Sequence, residues 1–211
     1  MRCRVFCLYL GVAFGLVLPA MALADNISWK GGDGNWDDPI NWDTGKVPGM
    51  GDNAFIVAGG TYTVTLNVPA EVATLTVGGA TGTQTLSNSS QTLTLDGAST
   101  IAPNGVYIQI GGTLTGAGML TVNGMFNWSG GTQSGSGVTS IAPGATLAIS
   151  GAVFELRSIS IGGTATWSGA GNINGGNGAP HSVGGPSSSE RYTSALAGPL
   201  TWRSPMAPFS E

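Results

Sequence analysis

A short unit recurs along this chain: two apolar residues separated by a single residue and followed by a turn that contains glycine. The copies are Leu75-x-Val77, Leu93-x-Leu95, Ile108-x-Ile110, Leu120-x-Val122, Leu147-x-Ile149 and Ile159-x-Ile161. Side chains alternate between the two faces of a β-strand, so each unit presents its apolar pair on one face. One unit is too small to bury that face alone, whereas stacked units align their pairs in a continuous interior column. The repeat therefore predicts short strands stacked as the turns of a coil.

A longer repeat lies over these units. Residues 99–103 (STIAP) reappear as residues 139–143 (TSIAP), and Trp128-Ser-Gly reappears as Trp167-Ser-Gly. Both offsets are about 40 residues, equivalent to two turns of about 20 residues, which is within the range of solenoid proteins. We therefore predict an all-β fold, a right-handed parallel β-helix.

The composition supports strands over helices or disorder. The 211 residues include 36 glycines, which oppose helix and supply turns. Between Tyr62 and Val68, apolar residues alternate with threonine and asparagine, which a disordered chain has no reason to do. An antiparallel β-sandwich or meander is the alternative architecture, because residues 96–97 (Asp-Gly) and 123–124 (Asn-Gly) suit two-residue hairpin turns.

The N-terminal residues have the pattern of an export signal. Arg2 and Arg4 precede an apolar run from Val5 to Leu18, and an Ala-x-Ala triplet ends at Ala24. Since the run is shorter than the ~20 residues of a membrane-spanning helix, we predict a cleaved signal peptide at residues 1–24 and a secreted or cell-surface mature chain. Glycine and threonine interrupt every later apolar run, so we expect no membrane span after cleavage.

Cleavage would also change the cysteine content and the charge. It would remove Cys3 and Cys7, the two cysteines, and Arg2 and Arg4, which leaves a net charge of 5 − 11 = −6. The remaining basic residues are scattered along the sequence, whereas nucleic-acid binding requires a basic stripe. We therefore expect no nucleic-acid partner.

Residues 25–58 differ from everything that follows. They contain Trp29, Trp36 and Trp42, together with most of the aspartates. Because the first turn of a coil exposes an apolar end and an unpaired strand edge, we interpret these aromatic rings as an N-terminal cap over that end. Solenoid repeats are predicted at residues 59–176 and an irregular, proline-rich tail at residues 177–211.

The opening segment carries a resemblance to a known family. The motif Trp29-x-Gly-Gly-x-Gly-x-Trp36, followed by Asn41-Trp42, resembles the opening of large bacterial secreted and autotransporter-associated proteins with parallel β-helix repeats. The resemblance covers residues 27–176 and includes the segments GTLTGAG and NWSGG within residues 112–131. It implies a β-helix at the cell surface with an adhesin-like role. The tail at residues 177–211 departs from these repeats, and three explanations are open: a linker, an irregular C-terminal cap, or a truncated or frameshifted member of such a family.

Three oxygen-bearing residues form a candidate metal site. Asp33, Asn35 and Asp37 lie at alternate positions, like the ligands at the start of a calcium loop. An EF-hand also requires glycine at the sixth position and glutamate at the twelfth, where this chain has Asp38 and Thr44. A calcium-stabilised cap is one hypothesis, and turn termination through side-chain hydrogen bonds to the backbone is the other. No other cofactor is expected.

Trp128 and Trp167 are the candidate glycan-binding residues. Their repeat spacing would stack the two indole rings on one face of a rod, where they could match sugar rings. Burial of both rings inside the coil explains the same spacing equally well.

Charged side chains are few. Between Asn53 and Ser189 they are Glu71, Asp96, Glu155 and Arg157, and His181 is the single histidine of the chain. Glu155 and Arg157 share one face of an extended strand, and we interpret them as a surface ion pair. His181, beside Pro180 in a glycine-rich turn, is expected to be exposed. Since no acid–base pair or triad can be assembled, we expect no enzymatic activity.

The sequence therefore predicts a structural, adhesin-like surface module whose partners are extracellular glycans, matrix or surface components. A glycan-binding module is the first alternative. A degenerate polysaccharide lyase or hydrolase is the second, and it would require two carboxylates that converge in a groove.

Overall fold

The computed structural model describes residues 24–168 and three further strands at residues 173–175, 181–183 and 192–194. In this part of the chain there are 22 β-strands, which form three sheets, and one turn of 3-10 helix, Pro39–Asn41. The Asp38 side chain caps that turn by accepting a hydrogen bond from the Ile40 N–H, with an N···O distance of 3.1 Å. None of the described residues belongs to a helix that is long and apolar enough to cross a membrane.

From β3 onward, successive strands of each sheet are three strands apart in chain order, because the chain visits the three sheets in turn. Sheet 1 contains β1 (Asn26–Ser28), β3 (Asn53–Ile56), β6 (Thr74–Val77), β9 (Ser99–Ile101), β12 (Leu120–Val122), β15 (Val138–Ile141), β18 (Ser158–Ile161) and β21 (His181–Val183). Sheet 2 contains β2 (Gly34–Asn35), β4 (Tyr62–Leu66), β7 (Gln84–Asn88), β10 (Gly105–Gln109), β13 (Met125–Trp128), β16 (Thr146–Ile149), β19 (Thr164–Trp167) and β22 (Tyr192–Ser194). Sheet 3 contains β5 (Ala70–Val72), β8 (Thr92–Leu95), β11 (Thr113–Thr115), β14 (Thr132–Gln133), β17 (Val153–Glu155) and β20 (Ile173–Gly175).

The chain is a parallel β-solenoid of about five turns. Between β3 and β20 each turn contributes one strand to each sheet, and every strand pair within the three sheets is parallel. The predicted parallel solenoid is therefore confirmed, and the antiparallel alternative is wrong. An isolated antiparallel bridge joins Trp29 and Trp42 in the N-terminal segment.

The core is a set of side-chain columns that run along the axis. In sheet 2, register pairing places Val64, Leu86, Tyr107, Phe126, Leu147 and Ala165 in one column. All six are buried. Burying apolar surface contributes about 25 cal/mol per Å², so the stacked turns stabilise one another where a single turn could not. The apolar columns explain why such short strands are stable.

The apolar pairs point inward in five of the six repeat units, and the pair Ile108 and Ile110 is the exception. Ile110 is 54 % exposed, and the buried residues of β10 are instead Gly105, Tyr107 and Gln109. Gly105 explains this shift of one residue, because a Cβ at this position would collide with the carbonyl group of Val77 in the turn before. The strand places its glycine against the neighbouring backbone and turns the isoleucines outward.

The longer repeat corresponds to two turns of the solenoid. Ser99 and Thr139 are both register partners of Leu120, so the two STIAP-like segments lie two turns apart. Trp128 and Trp167 are likewise both partners of Ile149. The repeat of about 40 residues is therefore two turns of about 20 residues each.

The sheets extend beyond the predicted repeat region at both ends. β3 belongs to the segment interpreted as a cap, yet it pairs with β6 of the repeat region. Regular stacking therefore starts before residue 59. Within residues 177–211, β21 and β22 continue sheets 1 and 2, and His181 lies in β21 opposite Ile159 rather than in a turn. The rest of the predicted tail lies outside the described residues, as does the predicted signal peptide except Ala24.

Candidate functional site

The three tryptophans of the N-terminal segment form one buried cluster. Trp29, Trp36 and Trp42 are each at most 2 % exposed. The ring of Trp42 meets Trp29 and Trp36 edge to face, at centroid distances of 5.0 and 4.9 Å. Its Nε1–H donates to the Trp36 carbonyl at 2.8 Å. The Trp36 N–H donates to the Thr65 carbonyl at 2.9 Å, so the cluster packs directly on the first complete turn.

An ion-paired aspartate links the residues that precede β1 and β3. The Lys46 ammonium lies 3.0 Å from a carboxylate oxygen of Asp52 and 3.2 Å from one of Asp25. Burial by itself raises the pKa of Asp52, but hydrogen bonds from the Gly49 N–H and from Lys46 outweigh it and hold the pKa below its ordinary value. The carboxylate therefore stays charged and ties the two strands together.

The candidate calcium ligands take part in turn hydrogen bonds. Asp33 accepts from the Thr63 N–H at 2.7 Å, and the Asp37 N–H donates to the Asn67 side chain at 3.3 Å. The Asn35 carbonyl accepts from the Asp38 N–H at 3.3 Å. Among the described residues, no three His, Cys, Asp or Glu side chains are grouped so that they could hold a metal ion. The calcium hypothesis stays a prediction, which a melting temperature that rises with calcium and falls with EDTA would support.

The two tryptophans proposed for glycan binding point into the coil. Trp128 is completely buried, and its ring stacks on Phe126 at a centroid distance of 6.1 Å. Trp167 occupies the same column two turns later and is partly buried against the core. Trp128 therefore presents no ring face at the surface, whereas Trp167 is only partly buried, and glycan binding by this pair stays a prediction.

Glu155 and Arg157 do share one face, but that face is the interior. Glu155 is completely buried and Arg157 is 1 % exposed, so the interpretation as a surface ion pair is wrong. Burial raises the pKa of Glu155 to about 8. Burial also lowers the pKa of Arg157, against an opposing interaction with Tyr107. Val153 is buried on the same face, whereas Phe154 and Leu156 are 50 % and 48 % exposed, so apolar alternation along the chain gave no signal that both charged side chains point inward.

Arg157 reaches across two turns to bind the backbone. Its Nη2 donates to the Gly118 carbonyl at 2.8 Å, and the guanidinium passes Gly137 on the way. A Cβ at Gly137 would collide with both the Gly118 carbonyl and Arg157 Nη2. Glycine at this position therefore creates the space that a buried arginine needs.

Replacing Gly137 with alanine is expected to destabilise the protein by about 1–3 kcal/mol, the usual cost of overpacking a filled interior. Urea unfolding would measure the change. Gly49→Ala is the control, since a Cβ there would meet its nearest atom at an ordinary contact distance of 3.9 Å. Equal unfolding midpoints for Gly137→Ala and wild type would contradict the conclusion that glycine at this position makes room for Arg157.

The outer surface of the rod is uncharged over a long stretch. Between Gly97 and Ser168 the charged residues are Glu155 and Arg157, and both are buried. Hydroxyl groups lie on the outside instead: Thr92, Thr113 and Thr132 are successive register partners on sheet 3. Protein surfaces ordinarily expose many Lys, Glu, Asp and Arg side chains, and this described stretch exposes none.

A groove interrupts the edge where sheet 1 turns into sheet 2. Two residues, Asn123 and Gly124, connect β12 to β13, whereas the connections before and after it, residues 102–104 and 142–145, are longer. The short connection between two longer ones leaves a groove of about 430 Å³. Its lining residues are Thr83, Pro103, Asn104, Gly105, Val106, Asn123, Gly124, Met125 and Gly144. Sequence reasoning missed this groove, because the lengths of the three stacked connections are known only once the ends of the strands are located.

No protein-family model matches the chain, and no curated protein and no solved structure matches it. The identification that the observations support is therefore one of architecture: this chain is an all-β parallel solenoid of about five turns with a buried tryptophan cluster near its N-terminal end.

Proposed function

We propose that this chain is a secreted or cell-surface structural module with an adhesin-like role and no catalytic activity. The observation that supports the proposal is the outer surface between Gly97 and Ser168, which combines hydroxyl groups with the absence of exposed charge in this described part of the rod. Binding by such a surface depends on hydrogen bonds and van der Waals contact over an area, because long-range electrostatic steering is missing. Attachment to neutral extracellular material fits these properties.

The architecture supports a presenting role. Continuous parallel ladders and interior columns make each turn depend on its neighbours, so the outer side chains are held at fixed repeat distances. Threonine adds to this order because its β-branched side chain has few rotamers. The outer surface is therefore organised before it meets a partner, which reduces the entropy cost of binding.

The distribution of carboxylates supports the absence of catalysis. Glu155 is buried in the interior, away from any substrate. Glu71 and Asp96 lie on or beside sheet 3, and neither lines the groove. We expect that incubation with neutral and acidic polysaccharides releases no new reducing ends and no unsaturated products. Release that is abolished by Glu71→Gln or Asp96→Asn would favour a degenerate hydrolase or lyase instead.

Attachment can be measured directly. Beads that carry the chain from residue 25 onward should be retained under flow on surfaces coated with neutral polysaccharide, compared with beads that carry the same protein after heat unfolding. Retention equal to that of the unfolded control on polysaccharide, protein and bare surfaces alike would contradict the adhesin-like role. Export is tested separately, because an exported chain cleaved as proposed has Asp25 as its first residue.

A further inference from the structure

The groove between sheets 1 and 2 combines apolar side chains with amides. Val106 and Met125 are register neighbours on β10 and β13, and Met125 is 40 % exposed. Pro103 adds a third apolar surface, and Asn104 and Asn123 add amide groups. The lining contains no charged residue. The groove has a volume of about 430 Å³ and opens widely to solvent, so it can cover one face of a small ring rather than enclose a whole ligand.

One of the two amides is held in place by the turn before it. Asn104 Nδ2 donates to the Gly79 carbonyl at 3.0 Å and to the Ala80 carbonyl at 3.3 Å. With its amide nitrogen fixed in this way, Asn104 can use its side-chain oxygen as an acceptor for a ligand hydroxyl. Asn123 lies in the exposed connection beside it, where it can donate and accept. The pair therefore offers hydrogen bonds next to an apolar wall.

We propose that this groove binds one ring of a neutral saccharide, an inference that rests on the proposed surface role and names the ligand class for it. A sugar ring has an apolar C–H face that fits against Val106 and Met125, and hydroxyl groups that fit the two asparagine amides. An acidic sugar would require a cation, and the exposed surface between Gly97 and Ser168 has none. A phosphate group is disfavoured for the same reason.

A peptide fits this groove less well. Extended peptides are commonly bound by adding a strand to an exposed sheet edge. β10 and β13 are each paired on both sides, so no strand edge is open at the groove. The saccharide must be recognised by side chains, which agrees with the mixture of apolar and amide groups found there.

The test uses the chain from residue 25 onward on an array of neutral oligosaccharides with sialylated and sulfated glycans beside them, followed by saturation-transfer NMR with the best neutral glycan. Asn123→Ala and Met125→Ala are each expected to weaken neutral-glycan binding by about three- to tenfold. Asn127→Ala and Met119→Ala are the matched controls, because these residues lie outside the groove and Met119 is 47 % exposed. The controls should bind like the wild-type chain.

Each other outcome overturns the proposal in a recognisable way. Neutral-glycan binding that both groove variants retain would place the site elsewhere while leaving the surface role intact. Preferential binding of sialylated or sulfated glycans on the array would refute the ligand class. Retention of the beads on protein-coated surfaces alone would refute it too. Bead retention under flow without any binding on the array would refute the saccharide groove alone. Absence of both bead retention and array binding would also refute the adhesin-like role.

Discussion

Replacing Trp42 with alanine is expected to lower the free energy of unfolding by about 3–5 kcal/mol, the cost of truncating a large buried aromatic residue. Trp42 is completely buried and contacts the rings of Trp29 and Trp36 edge to face. The change would also remove the donor that satisfies the Trp36 carbonyl. Because the cluster packs on the first complete turn, its loss should open the end of the solenoid.

Urea unfolding and hydrogen exchange would check this result together. We expect backbone amides of β3 and β4 to lose protection first, while those of β12 and β13 in the middle of the rod stay protected. Light scattering should rise, because the first turn then presents an unpaired edge to other chains. Ile40→Ala is the matched control, since Ile40 lies in the same segment but is 70 % exposed. A Trp42→Ala protein as stable as the control would refute the cap.

Stability is expected to fall as the pH rises from about 4.5 to 8, because Glu155 is buried. The ordinary pKa of 4.5 applies to Glu155 in the unfolded chain, whereas burial raises the pKa to about 8 in the folded protein. Between these values the unfolded chain has released the proton and the folded protein has kept it. The unfolded state therefore binds fewer protons, and the free energy of unfolding decreases with pH by up to about 4–5 kcal/mol.

The contribution of Glu155 is complete below about pH 4.5, where both states are protonated, and no further loss occurs above about pH 8. Melting temperatures across this range would measure it. Glu155→Gln keeps the shape of a neutral side chain and should flatten the profile. Glu71→Gln, a change at a partly exposed residue of β5, should leave the wild-type profile in place. A wild-type profile that is already flat would contradict the buried, protonated carboxyl group.

The fold was largely predictable from the sequence, and the candidate site was not. Parallel stacking could be inferred because units such as Leu120-x-Val122 repeat in one sense and are too small to bury a face alone. The tryptophan-rich opening was correctly interpreted as a buried cluster. The sequence could not place the candidate glycan residues Trp128 and Trp167, because equal spacing in a solenoid puts side chains in one column without stating whether that column is inside or outside.

β10 shows what was missing. Its apolar alternation, Val106 with Ile108 and Ile110, belongs to the outer face, since Gly105 has to meet the Val77 carbonyl of the preceding turn. The groove, too, becomes evident only when stacked turns are compared with one another. It exists because the connection at Asn123 and Gly124 is shorter than those stacked on either side of it.

The sequence by itself determined the class of fold, the length of a turn and the aromatic cluster at one end. These follow from the alternation and spacing of residues along the chain and do not require knowledge of which turns lie above and below. Only the tertiary structure decided which side of each strand faces the core, that Glu155 and Arg157 are buried and that a groove forms between three turns. The physical reason is that alternation divides a strand into two faces, whereas the choice between them depends on contacts with the turns above and below.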